Sequence, residues 1–191
     1  MDRIIRIPSM QTRKIKKQFD TIVDLGFDNL VVGGCSFTYT LPTQVPITWP
    51  YYFRDLAGFN EVYSCAMPGL GTNFISSSMV WGLENTNLEP ETTMAVEMWS
   101  GHDREDAIFS SDAIDNSANY VYNYTDNVCH GTTGGSSRDG DGNTNWFGYR
   151  DIHKYKSFES RAVENAIWKI QLKRYLDASG YKSIFVDFLD P

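Results

Sequence analysis

An even set of cysteines, a membrane-length apolar run and an excess of positive charge are all lacking in this chain. Its three cysteines, Cys35, Cys65 and Cys129, are an odd number. That argues against a disulfide framework and fits synthesis in a reducing compartment. No apolar run approaches the roughly 20 residues a bilayer demands. The basic N-terminus has no apolar core of signal-peptide length. The expected location is cytoplasmic at synthesis, with no membrane partner. Net charge is −7, so the broad positive field that nucleic acid requires is missing, and no nucleic-acid partner is expected. Cysteines and histidines show no zinc spacing. No Walker lysine follows either glycine turn, and Gly69 and Gly71 make no dinucleotide fingerprint. Asp139-Gly140-Asp141-Gly142-Asn143 suggests a calcium loop. An EF-hand needs glycine at its sixth position and glutamate at its twelfth, where this chain has Thr144 and Arg150. No metal and no cofactor are expected.

What is present is a chain of 191 residues, enough for one sizeable core. Aromatic residues reach 14%, an excess that suits clefts and contact surfaces as well as cores. Charge is uneven: Arg3, Arg6, Arg13, Lys14, Lys16 and Lys17 crowd the start, whereas residues 84–145 carry acids with only Arg104 and Arg138 against them. These read as a solvated basic arm and an acidic loop region, or as docking surfaces for a partner.

Apolar patterning gives the organisation. Residues 1–28 read as an arm and a short amphipathic helix, stopped by Gly26. Leu30-Val31-Val32 ending in Gly33-Gly34 reads as a buried strand that turns sharply. Trp49 to Leu56 predicts a helix with Thr48 as N-cap and Pro50 in its first turn. Strands are expected over Glu61–Cys65, Thr92–Met98 and Ser183–Leu189. Helices are expected after Gly71 and from Phe158 to Gly180. In the last helix Val163, Ala166, Ile167, Ile170 and Leu176 form the stripe expected to face the core. Residues of about 107–158 break the alternation and read as a long irregular insertion or lid. The fold class is therefore α/β, a doubly wound parallel sheet spanning 29–191.

In such sheets ligands bind outside the carboxyl ends of the strands. Ser36 falls there, after the glycine turn, where a hydroxyl can approach substrate and helix N-terminal N–H groups. In isolation it reads more readily as a turn or cap residue. After the second strand comes Ser64-Cys65-Ala66-Met67-Pro68-Gly69-Leu70-Gly71-Thr72-Asn73, which would put Gly69 on the neighbouring loop over the same crevice.

The order Gly34-Cys35-Ser36-Phe37-Thr38, then Trp49, then Ala66 to Asn73, then Met98-Trp99-Ser100-Gly101-His102-Asp103-Arg104-Glu105 resembles the SGNH (GDSL-like) hydrolases. The likeness is to the Gly-Cys-Ser-Phe-Thr variants of phages and bacteria, over roughly residues 29–105 and 159–189. It implies a flavodoxin-like sheet and an ester or acyl hydrolase with Ser36 as nucleophile. Gly69 would be an oxyanion donor. His102 stands where the family has an oxyanion asparagine, with Asn73 as a substitute donor. Cys35 replaces the usual aspartate. The substrate class implied is an acylated molecule or a carbohydrate ester.

The family's Asp-x-x-His near the C-terminus, which supplies the general base, has no counterpart before Pro191. Either His102, His130 or His153 serves Ser36, or the chain is incomplete at the C-terminus and lacks the catalytic segment. The second reading is favoured, because a serine without a base is a poor nucleophile. The chain would then be an inactive module used in assembly, for example as a virion component, or in glycan binding. A sheet ending after four strands leaves an apolar edge that invites pairing, so a homo-oligomer or larger assembly is expected.

Overall fold

The computed structural model describes residues 5–6, 24–39, 48–68, 70–100, 105–110, 121–125, 128–133 and 157–187. The helix expected before Gly26 falls largely outside them. The central sheet has five strands: β1 (Ile5–Arg6), β2 (Asn29–Gly34), β3 (Glu61–Ser64), β4 (Thr93–Met98) and β8 (Lys182–Val186), in the order β1-β3-β2-β4-β8. β3, β2, β4 and β8 pair in parallel, and β1 adds an antiparallel edge on β3. Taking the four parallel strands in chain order, the spatial sequence is 2-1-3-4, an order found in doubly wound sheets. β2 is covered on both faces, and after Asn29 it runs through the apolar Leu30, Val31 and Val32, which is what a central parallel strand requires.

Helices lie on both faces. α1 (Trp49–Ala57) covers one, where Leu30, Val32, Val62, Met94 and Val96 pack with Ala57 and Phe59. α2 (Thr72–Glu84) and α3 (Phe158–Ala178) cover the other, where Val31 and Ala95 meet Phe74, Ile75, Met79, Leu172 and Leu176. Thr48 precedes α1 and Pro50 lies in its first turn, as expected, but the threonine side chain makes no capping hydrogen bond. Ser157 does cap α3, its hydroxyl accepting from the Ser160 N–H at 3.2 Å. Gly180 follows α3 with φ +83°, a conformation glycine adopts without strain.

Two expectations need correction. The stretch of about 107–158 is not simply irregular. β5 (Glu105–Ser110), β6 (Val121–Thr125) and β7 (Val128–Thr133) form an antiparallel sheet in the order β5-β7-β6. Asn, Asp and Gly in this stretch hide the β-formers Val121, Tyr122, Tyr124, Val128 and Thr132. The stripe expected to bury α3 is also wrong. Leu176 is fully buried, but Val163, Ile167 and Ile170 are 59%, 47% and 52% exposed. α3 has two apolar faces, and the one bearing Leu172 and Leu176 meets the sheet.

Candidate functional site

Ser36 sits on a turn pinned at both ends. The carbonyl of Cys35 accepts from the N–H groups of Thr38 and Tyr39, each at 3.0 Å. Cys35 and Thr38 are buried, and the Thr38 hydroxyl accepts from Trp49 Nε1 on α1 at 3.2 Å. Ser36 and Phe37 are left exposed at the tip. The turn depends on Gly34, whose φ of +151° disfavours other residues and where a Cβ would overlap the Thr38 side chain. β2 lies between β3 and β4, so this turn leaves the sheet where successive connections run to opposite sides. That is the crevice position in an open α/β sheet.

The second motif comes alongside. Cys65 N–H donates to the Val32 carbonyl at 2.8 Å and Met67 N–H to the Gly34 carbonyl at 3.2 Å, so the loop after β3 follows the end of β2. α2 begins at Thr72 without a side-chain cap and without an acid in its first turn. Asn73 is half-buried there, and both its carbonyl and its Oδ1 accept from the Ser77 hydroxyl, at 2.9 and 3.3 Å. Gly69, His102 and His153 lie outside the described residues, and of His130 only the backbone on β7 is described. Of the four site residues expected from sequence, Ser36 and Asn73 are thus placed at the carboxyl edge.

Sequence reasoning missed Glu97. It lies on β4 opposite Gly33 in register and is fully buried. A Cβ on Gly33 would overlap both of its carboxyl oxygens, so glycine at 33 makes room for this side chain as well as for the turn. Neither oxygen has a hydrogen-bond partner. Burial pushes the Glu97 carboxyl well above the ordinary carboxylate range, favouring its neutral form. The Cys65 thiol is also pushed up, first by burial and then by Glu97. Trp99 Nε1 and the hydroxyls of Ser100 and Thr72 are buried and unpartnered as well. Trp99 stacks edge-on against Phe185 with ring centroids 5.3 Å apart, and Lys169 Nζ lies 5.4 Å from its ring centre while pairing with Asp187. The signal was available: an acid inside the apolar run Thr93–Met98 is rare unless paired or functional.

Chemically, this edge offers an exposed hydroxyl on a braced turn and a buried carboxyl whose pKa burial pushes well above the ordinary carboxylate range. Among the described residues no group of histidine, cysteine and acids could hold a metal ion. No described helix is long and apolar enough to cross a membrane. The fold and this edge define an α/β protein with helices on both faces of a largely parallel sheet. No protein-family model matches the chain, no curated protein matches it and no solved structure matches it.

Proposed function

We propose that the chain is an SGNH-like ester or acyl hydrolase of flavodoxin-like topology, with Ser36 as nucleophile. The observation that carries this reading is Ser36 itself, exposed at the tip of a braced turn at the carboxyl end of the central strand. In the proposed reaction Ser36 Oγ attacks the ester carbonyl and loses its proton to one of the existing histidines, His102, His130 or His153, acting as base. The alcohol leaves, and water then releases the acid from the acyl-enzyme. The Gly69 N–H, the Asn73 amide and the His102 imidazole would donate to the oxyanion. The test is turnover of short p-nitrophenyl esters by the purified chain and by Ser36→Ala. A loss of ~1,000-fold or more supports the nucleophile. Equal turnover in the variant, or none in either protein, overturns it.

A second reading is a non-catalytic SGNH-like module used in assembly, as in a virion, or in glycan binding. The exposed apolar face of α3 favours the assembly form of it. It requires that the chain hydrolyse no ester at any rate that Ser36→Ala abolishes.

A further inference from the structure

α3 carries apolar residues on opposite sides. Leu172 and Leu176 are buried against the sheet, with Asn165 nearly so. Val163, Ala166, Ile167 and Ile170 follow spacings of three and four and point the other way, into solvent. The helix has 21 residues, about 31 Å at ~1.5 Å per residue. A groove of about 540 Å³ between α2 and α3 extends the apolar surface sideways through Val80, Trp81, Trp168 and Tyr175. Among the residues lining the groove, Tyr175 Oη donates to Glu84 at 2.5 Å. Ile184 and Val186 are exposed too, but they alternate with Phe185 on β8 and face the opposite side of the sheet.

We infer that this face of α3 is a two-fold interface with a second copy of the chain, the two α3 helices running antiparallel. Charge selects both the partner and the direction. Glu159 lies four residues before Val163, and Arg174 lies four after Ile170, both exposed on the rim of the stripe. With the helices antiparallel and crossing beside Ala166 and Ile167, Val163 of one copy faces Ile170 of the other. The same register sets Glu159 against Arg174, and two-fold symmetry makes each contact twice. A parallel pairing would set Glu159 against Glu159 and Arg174 against Arg174. The antiparallel pairing also opposes the two helix dipoles. The inference is independent of any reaction at Ser36.

The experiment is sedimentation equilibrium of the full chain over a concentration series. The wild type should be dimeric, with a dissociation constant in the micromolar range, as for a modest helix-face interface. Ile167→Glu should weaken association by ~100-fold or more. Since Ile167 is half exposed, its circular dichroism should be unchanged. Arg174→Glu should weaken the dimer by ~10-fold, and Glu159→Arg combined with Arg174→Glu should recover it. Ile167→Cys should cross-link two chains under mild oxidation. A wild type that stays monomeric to ~100 μM overturns the inference. So does a dimer that Ile167→Glu leaves intact. Failure of the double charge swap to recover the dimer overturns the antiparallel register.

Discussion

The two ends of the parallel strands are built to different rules. In the interior of β2, β3 and β4 the apolar side chains are closed off: Leu30, Val31, Val32, Val62, Ala95 and Val96 are all at or below 2% exposure. At the carboxyl ends polar groups are buried without partners, in Glu97, Trp99 and Ser100, and Ser36 is held out to solvent. The Thr93 and Ser183 hydroxyls, unpartnered near the starts of β4 and β8, are exceptions, but both are neutral at every pH. Each unsatisfied buried group costs about 1–3 kcal/mol. The amino half therefore contributes stability that the carboxyl edge partly offsets, and the edge is where an open α/β sheet binds ligands.

The sharpest way to break this comparison is to damage the closed half. Leu30→Ala removes a fully buried side chain and should cost about 2–5 kcal/mol in chemical denaturation. It should leave the pH dependence of stability unchanged, because no ionisable group is touched. A cost below about 1 kcal/mol would mean that the closed half is not where stability resides.

Gly33→Ala comes next, at about 1–3 kcal/mol, since its new methyl group must displace the Glu97 carboxyl. Glu97→Ala removes that clash, so Gly33→Ala should cost much less in its background. A strictly additive double variant would show that the two positions do not share space.

Glu97 should also set a pH dependence. Its folded-state pKa is raised above the unfolded value, because burial penalises the charged form. Its stabilising contribution is fully present below the unfolded carboxyl pKa, near ~4.3. It is lost as pH rises toward the folded value, because the unfolded chain ionises first. The slope approaches ~1.4 kcal/mol per pH unit within that window. Urea denaturation at several pH values should show this decline in the wild type and flatten it in Glu97→Gln. Equal slopes in both proteins would place the ionisation elsewhere.

Much of this division was legible in the residues. Leu30-Val31-Val32 followed by two glycines marks both the buried strand and the turn, and strand–helix alternation marks the parallel α/β class. Glu97 was not found, because a strand pattern is judged by its apolar members and its one acid is read as interruption. The α3 faces were misassigned because both are apolar: spacing alone cannot say whether Val163, Ile167 and Ile170 or Leu172 and Leu176 turn inward. That choice is made by the sheet and by α2. The β5–β7 sheet was hidden by composition, since backbone pairing tolerates the Asn and Gly that suggested loop. For Gly69 and His102, the reading rests on sequence order.

The smallest effect expected tests how the Ser36 turn is held. Trp49 donates its Nε1–H to the Thr38 hydroxyl, and its ring also continues to Phe53 at 6.4 Å and from there to Phe59 at 5.5 Å. Trp49→Phe keeps an aromatic ring in that chain but removes the donor. Thr38 is fully buried, so its hydroxyl is left without this partner. The cost should be about 0.5–1.5 kcal/mol. It should appear locally, because the Thr38 and Tyr39 N–H groups close the turn onto the Cys35 carbonyl. Their hydrogen exchange should accelerate by ~5-fold, the equivalent of about 1 kcal/mol, while amides in the closed half of β2 exchange as before. Uniform acceleration along β2 would instead mean that Trp49 stabilises the whole sheet and that the turn has no separate brace.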